Sequence, residues 1–240
     1  MKSCLLFLSL LLSSSFTVAG IKVTPMTIDV RATQTRIPVD IKVVNDDAKL
    51  KAYVQVTPSK VVEPGMKQQK EIPMTGSQKR GVVTSPAKLI IPGSQFRKVR
   101  VLLTQPPAKT DRVFRVLVEP VTDKLNGDDR QVGVQILLAY KVLLIQLPKD
   151  PVANISMKRD GKTLTIKNTG NSNALMFNGQ ACVKDKCSEL PVKRVYAGNV
   201  WEVTLPAADS MVSYQLQAVN NISDIKLAAN QLSVSQKVEI

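Results

Sequence analysis

The sequence is 240 residues long and basic, with 33 lysines and arginines against 19 acidic residues and a formal net charge of +14. It contains no histidine, so the commonest general base and the usual member of a serine-histidine-aspartate triad are missing. Hydrophobic residues make up 44% of the chain and aromatic residues only 4%, so valine, leucine and isoleucine have to fill the cores.

Residues 1–19 have the pattern of a cleaved secretory signal. Met1-Lys2 precede an apolar run and small residues that end at Ala19, and the run is too short for a transmembrane helix. We expect cleavage after Ala19, which leaves an exported chain, residues 20–240, without stable membrane insertion. Loss of Lys2 lowers the net charge from +14 to +13. Export and the lack of an aromatic-rich basic stripe argue against nucleic acid as the partner that this charge attracts.

The first part of the exported chain consists of short β-like runs separated by turn residues. The alternation in Ile37–Asn45 predicts a half-buried strand, and Ala52–Val56 predicts a second strand that stops before Pro58. We expect these two strands to be antiparallel neighbours. The stretch 62–81 is rich in proline, glycine, lysine and glutamine and is predicted to be a loop-rich crossing.

Three further strands are predicted before residue 120. They lie within Ser85–Gly93, at Phe96–Leu103 and at Val113–Val118. About seven short strands with turns every 8 to 12 residues or so are the pattern of an immunoglobulin-like sandwich.

The most informative stretch is Gln131–Pro148. Its apolar residues recur with the period of two that belongs to a β-strand. One face of the stretch is apolar along its whole length. The opposite face is polar in the first half and apolar in the second, so only the second half has the pattern of a strand that is buried on both faces. An uncharged apolar strand at a sheet edge is an aggregation hazard. It is therefore either a central strand or one that is kept for donation to another chain.

A second all-β unit follows the stiff segment Pro148–Pro151. Arg159–Lys162, with its Asp-Gly pair, predicts a hairpin, and Asn168–Asn171 predicts another turn. The mature chain keeps Cys182 and Cys187, which we expect to form a disulfide because the protein is exported. Zinc is the competing interpretation, but two cysteines without a histidine do not fill a tetrahedral structural site.

The predicted fold is all-β, with two immunoglobulin-like β-sandwich domains at residues 20–148 and 149–240 after the signal at 1–19. No P-loop, dinucleotide fingerprint or nucleophile elbow is present. The carboxylates of Glu63 and Glu71, and those of Asp128 and Asp129, fall in predicted loops and are interpreted as solvated charges. The sequence therefore predicts a protein that is not an enzyme and needs neither cofactor nor metal.

Four segments resemble the periplasmic chaperones of pilus assembly, the chaperone–usher or PapD-like family, and are closest to its alternate branch, which serves class 5 and common pili. They are Val82–Gly93 with the following Val99-Arg100, Val113–Val116, the strand that ends at Pro148, and Leu164–Asn171 with the downstream cysteine pair. The resemblance implies two domains at an angle. It also implies that the last strand of the first domain completes an unfinished pilin subunit, which an outer-membrane usher then receives. The location it implies is the periplasm.

The resemblance also implies specific site residues. Its donated apolar side chains fall on Val132, Val134, Ile136 and Leu138. Two cations of the family bind the carboxylate at the C-terminus of the pilin, in the cleft between the two domains. The arginine corresponds to Arg31, with Arg36 as the fallback. The lysine corresponds to Lys141, although the ungapped position is Leu143.

A different function fits the same fold. The chain is either a chaperone for pilins or an exported structural or adhesive β-sandwich protein of a surface fimbria. A pilin is expected to carry its own N-terminal donor extension and usually one incomplete sandwich, whereas this chain has two predicted domains and an internal donor-like strand. Self-association of the free protein is left open.

Overall fold

The computed structural model describes residues 20–75, 81–121 and 137–240. Its regular elements are β-strands apart from one turn of 3-10 helix at Ala32–Gln34. The first ten strands are β1 (Ile21–Thr24), β2 (Thr27–Val30), β3 (Val39–Asn45), β4 (Ala52–Val62), β5 (Lys70–Pro73), β6 (Val82–Ser85), β7 (Lys88–Ile91), β8 (Phe96–Leu103), β9 (Arg112–Pro120) and β10 (Tyr140–Gln146). They form two sheets, with the strand orders β1-β3-β8-β6 and β2-β10-β9-β4-β5, and β7 lies beside β4 in the second sheet.

The rest of the chain forms a second pair of sheets. Its strands are β11 (Val152–Asp160), β12 (Thr163–Asn168), β13 (Ala174–Val183), β14 (Lys186–Leu190), β15 (Lys193–Val195), β16 (Val200–Thr204), β17 (Met211–Ala218), β18 (Asn221–Leu227) and β19 (Ser233–Glu239). The strand orders are β16-β12-β11-β19 and β14-β13-β17-β18, and β15 lies beside β13. The predicted all-β fold with two sandwiches is confirmed. The exact domain bounds at 148 and 149, between β10 and β11, stay a prediction.

Each pair of sheets encloses its own core, and aliphatic side chains fill both. In the first sandwich the buried cluster includes Ile41, Val99 and Leu144, with Phe114 as its fully buried aromatic residue. A separate cluster fills the second sandwich. No helix in the described part of the chain is long and apolar enough to cross a bilayer.

The prediction that Pro58 ends its strand is wrong, because β4 continues to Val62. The carbonyl of Pro58 accepts a hydrogen bond from Met74 N at 2.8 Å. In an antiparallel ladder the N–H and C=O of one residue point to the same side. The nitrogen of Pro58 therefore faces the edge of β4 that β7 and β5 share. β7 pairs with β4 up to Gln55, and β5 pairs with it from Ser59 onwards. The missing N–H falls between these two partners, where the ladder needs no donor.

The predicted pairing of β3 with β4 is also wrong, since the two strands lie in different sheets. Asn45, at the end of β3, explains the crossing. Its side-chain Nδ2 donates to the carbonyl of Leu50 at 2.7 Å and to that of Ile91 at 3.0 Å. This side chain ties the connection 46–51 to the opposite sheet instead of allowing a tight hairpin.

The predicted disulfide is present in the structure and joins Cys182 to Cys187. The two residues are register partners in the β13–β14 hairpin. The predicted Asp-Gly hairpin is present as well, between β11 and β12, and Gly161 has the positive φ of +53° that the turn requires.

Candidate functional site

The edge of β10 is paired along only part of its length. β2 runs parallel to its second half, from Leu143 to Gln146, and Leu147 N continues the ladder with a 2.9 Å bond to the carbonyl of Val30. On the other side β9 pairs with the whole strand from Tyr140. Within the described part of the chain, residues 137–142 have no strand neighbour on the β2 side. Among the described residues, the backbone groups of residues 140–142 in β10 therefore form an open sheet edge, and residues 137–139 precede the strand.

Apolar side chains accompany this open edge. Leu137 and Leu138, which precede β10, are 43% and 54% exposed. In a strand that continued β10 towards lower residue numbers, they would point to opposite faces. Leu138 shares its parity with Val142 and Leu144, which are buried in the first core. The predicted donor residues Val132, Val134 and Ile136 lie outside the described residues.

Three charged side chains meet on the outward face of the same sheet. Glu71 Oε1 lies 3.2 Å from Arg115 Nη1, and Glu71 Oε2 lies 3.1 Å from Lys141 Nζ. β5, β9 and β10 supply one residue each. The side chain of Lys141 is 48% exposed, whereas those of Arg115 and Glu71 are 33% and 28% exposed. We call these three residues the cleft triad.

The structure does not bring Arg31 and Lys141 together. Arg31 follows Val30, which is the register partner of Gln146. The five residue steps from Lys141 to Gln146 span about 17 Å at the rise of a β-strand. Arg31 instead lines a cavity of about 140 Å³, whose other lining residues are Ala32, Thr33, Leu147, Pro148, Lys149, Pro151 and Ile240. Arg36, the fallback, is exposed with a positive φ of 69°.

Sequence reasoning missed two members of the cleft triad. The local pattern predicts a solvated loop charge at Glu71, but this residue lies in β5 and contacts both cations. Arg115 alternates with the buried residues Phe114 and Val116, so parity alone places it on the outward face. Nothing in the local pattern indicates that this face also carries Lys141, which is 70 residues from Glu71 in the sequence.

Comparison with known proteins places this geometry in a known fold. No family model matches the chain. A curated Escherichia coli protein, named as a subunit of CS1 fimbriae, is 28% identical over 207 residues, which cover 82% of this chain and 83% of that protein. The structure of the class 5 fimbriae chaperone CfaA has a TM-score of 0.64 at 18% identity and covers 87% of this chain and 98% of that one. The periplasmic chaperone SfaE has a TM-score of 0.58 at 15% identity, with 87% and 100% covered.

The chain has the fold of a fimbrial periplasmic chaperone. The predicted resemblance is thus confirmed at the level of the fold. In this chaperone fold the cleft triad lies on the first sandwich, close to its contact with the second, because Glu71 is the register partner of Val61, which packs in that contact. That contact has an apolar part, in which Ile145 and Leu147 pack in one cluster with Tyr196 and Val219 of the second sandwich.

A buried carboxylate forms the polar part of the contact between the sandwiches. Asp111, just before β9, accepts hydrogen bonds from Ser172 Oγ at 2.9 Å and from both the backbone N and the Nδ2 of Asn173 at 2.7 Å. Its own backbone N–H donates to the carbonyl of Asn171 at 3.2 Å. Burial nevertheless raises the pKa of Asp111 to about 6, against the lowering effect of these donors. We therefore expect protonation of this carboxyl group to affect the docking of the two sandwiches.

A second carboxylate lies in the same polar region. Asp29 of β2 is the register partner of Ile145, and burial raises its pKa, an effect that the positive charge of Arg194 partly offsets. Its Oδ1 is buried without a hydrogen-bond partner among the described residues. Burial likewise raises the pKa of the neighbouring Tyr196. Asp29 and Tyr196 are therefore further titratable groups close to Asp111 at the contact between the sandwiches.

Proposed function

We propose that this chain is a periplasmic chaperone that binds pilin subunits, completes their fold with the strand that leads into β10, and delivers them to an outer-membrane usher. The open apolar edge of β10 in a fimbrial chaperone fold carries this proposal. Residues 1–19 serve as the export signal, and the ranges 20–148 and 149–240 are the two domains. The proposed activity is binding and delivery, without catalysis.

The mechanism follows from the chemistry of a sheet edge. Residues 140–142 present backbone N–H and C=O groups at the edge of β10 that a partner strand can pair with, and the residues before them would extend this pairing. Main-chain hydrogen bonds of this kind provide affinity. Alternate side chains point to one face of the added strand. Leu138, together with Val132, Val134 and Ile136, would enter an apolar groove in the pilin, which provides specificity. Donation also covers an edge that would otherwise favour aggregation.

Replacing Ile136 and Leu138 together by serine should abolish recovery of the pilin. Each large aliphatic side chain removed from water contributes about 1.5 to 3 kcal/mol, so the pair should lower the affinity by at least a hundredfold or so. The measurement is periplasmic co-expression with a pilin encoded beside this chain, followed by purification through a tag on this chain and quantification of the pilin.

Leu137→Ser is the matched control, because Leu137 has similar exposure but lies on the opposite face of the strand. It should leave recovery of the pilin close to that of the parent protein. Undiminished recovery with the double variant would refute strand donation. Equal losses with the double variant and the control would show that binding does not depend on which face of the strand is apolar, and would contradict the insertion of one face into a groove.

Lys141 and Arg115 are the proposed anchor for the carboxylate at the C-terminus of the pilin. They already hold one carboxylate, that of Glu71, between a guanidinium and an ammonium group. Hydrogen bonds between charged partners are short and strong, and a guanidinium group matches the geometry of a carboxylate. Such an anchor would fix the register in which the donated strand enters the groove. The geometry favours Arg115 over Arg31 as the partner of Lys141, because Arg31 lies near the other end of β10.

Amidating the C-terminus of a synthetic pilin peptide should weaken its binding to the parent protein about tenfold or more, the value of a lost charge-assisted bond. Amidation should have a clearly smaller effect on the Arg115→Ala and Lys141→Ala variants, each of which keeps only one cation of the anchor. Fluorescence anisotropy of the labelled peptide measures the dissociation constants. Arg31→Ala is the comparison: if it alone removes the effect of amidation, the anchor is at Arg31 and our assignment of Arg115 is wrong.

A structural role in the fimbria is the second candidate, since the curated relative is named as a component of a fimbria. Cell fractionation separates the two functions. A chaperone stays in the periplasm and leaves the pilin before assembly, whereas a structural component is recovered in sheared, purified fimbriae. Detection of this chain in those fimbriae at a fixed ratio to the pilin would favour the second function.

A further inference from the structure

Glu71 occupies the space between two cations that the proposed function assigns to a ligand. Both of its oxygens are engaged, Oε1 with Arg115 and Oε2 with Lys141. In the register of the sheet, Glu71 faces Val61, and Arg115 faces Ser59 on the other side of β4. The glutamate therefore reaches across β4 to meet both cations on one surface.

A ligand carboxylate would need the same two partners. Arg115 and Lys141 each have further donor atoms, but two carboxylates held between them would repel each other at close range. The Glu71 carboxylate and an incoming one therefore compete. We propose that Glu71 is a built-in competitor, which holds the cation pair in the unloaded protein and leaves it when the terminal carboxylate of a pilin binds. This inference rests on the proposed function and adds a device that regulates its anchor.

The position of Glu71 suits a group that leaves. β5 has four residues, lies at the end of its sheet, and within the described part of the chain pairs only with β4. Both ion pairs are partly exposed to water, which screens them and makes each one weak. Glu71 can thus move into solvent while β4, β9 and β10 keep Arg115 and Lys141 in place.

The competitor has a physical benefit for selectivity. Two cations held close together without an anion repel each other, and would attract any small anion or acidic side chain that enters the cleft. With Glu71 in place, a free carboxylate has to displace the Glu71 carboxylate from the two cations, so its net binding free energy is small. A pilin binds with a more favourable free energy, because its strand pairs along β10 at the same time as its carboxylate binds the cations. The cation pair is therefore opened only by a ligand that also fits the open edge.

The test uses acetate as the probe and acetamide as its uncharged control, at constant ionic strength, with the signal-free chain. NMR shifts of the Arg115 Nε–H group report occupancy of the anchor. We expect Glu71→Gln to bind acetate about fivefold more tightly than the parent protein, the fold-change that weak ion pairs allow. Neither protein should respond to acetamide.

Glu119→Gln is the matched control. Glu119 also lies on the outward face of β9, where it pairs with Gln55, so this variant removes the same charge without removing a member of the cleft triad. It should bind acetate like the parent protein. An equal gain in the two variants would overturn the proposal and indicate a general effect of charge. Unchanged or weaker acetate binding by Glu71→Gln would overturn it as well and identify Glu71 as a group that positions the cations.

The acetate experiment is independent of pilin recovery. If the chain is not a pilin chaperone, co-expression recovers no pilin with any variant, while the fivefold gain for acetate can still be observed. If only the competitor is wrong, the pilin is recovered and the gain is absent. The two failures are therefore distinguishable.

Discussion

Replacing Asn168 by aspartate should destabilise the second sandwich by about 4 kcal/mol or more, because it leaves buried groups unsatisfied and buries a charge. Asn168 is fully buried. Its Nδ2 donates to the carbonyl of Ser172 at 2.7 Å and to that of Val195 at 2.9 Å. Its Oδ1 accepts from the backbone N–H groups of Asn154 and Gly170. Aspartate keeps the two acceptor contacts but has no donor, so both carbonyls would face a carboxylate.

Fluorescence of the single tryptophan, Trp201, during urea unfolding gives the measurement, since Trp201 packs against the core of the second sandwich. Asn221→Asp is the control, because Asn221 is exposed and donates only one side-chain bond, to the carbonyl of Glu239. Surface substitutions of this kind usually change the free energy of unfolding by less than about 0.5 kcal/mol. A loss below 1 kcal/mol or so for Asn168→Asp would contradict this account of the buried network.

The same network shapes the surface that meets the first sandwich. Asn168 holds the turn that contains Asn171, Ser172 and Asn173, and these three residues bond to Asp111. The carbonyl oxygen of Asn171 and the donors of Ser172 and Asn173 thus reach their positions through one buried amide. A change at Asn168 should therefore also loosen the contact between the sandwiches.

Local patterns in the sequence are sufficient to predict much of the fold. Alternation predicts β8 at Phe96–Leu103, where the structure has the same bounds. The Asp-Gly pair predicts the hairpin after β11 because glycine accepts the positive φ of the turn without strain. The exported context and an even number of cysteines predict the Cys182–Cys187 bond. Each of these predictions depends on residues that are close together in the chain.

Predictions that depend on distant residues are less successful. Periodicity shows that β3 and β4 are strands but carries no information about which sheet each of them joins. Pro58 is tolerated because of where β5 and β7 pair with β4, which a local pattern does not show. The cleft triad joins residues from three strands, and only the assembled sheet brings them together.

The free energy of unfolding should also depend on pH through Asp111. Burial raises its pKa from the ordinary 3.8 to about 6. Between these values the folded protein binds more protons than the unfolded chain, so the stability falls as the pH rises. The contribution is fully present below about pH 4 and lost above about pH 6. Its upper limit is about 3 kcal/mol, at 1.36 kcal/mol per pKa unit.

The other aspartates with shifted pKa values have opposing effects on this dependence. The pKa of Asp29 is raised as well, chiefly by burial, so its titration acts in the same direction, while the charge of Arg194 reduces its shift. Asp40 and Asp47 have lowered pKa values, through the Lys98 side chain and the Leu50 backbone N–H respectively. The stability that these two provide is lost only as the pH falls below the ordinary range of an aspartate. A window from pH 4.5 to 7 or so therefore isolates the buried pair.

Calorimetry across this window should show the parent protein losing about 5 °C or more of thermal midpoint as the pH rises. Asp111→Asn removes the titrating group from the contact, so its midpoint should change markedly less, with only the contribution of Asp29 left. The difference between the two profiles is the quantity to compare, because the remaining carboxylates are common to both proteins. Parallel profiles would show that Asp111 does not link proton binding to the docking of the sandwiches. A flatter profile for Asp111→Asn would mean that the contact beside the cleft triad is stronger in mild acid than at neutral pH.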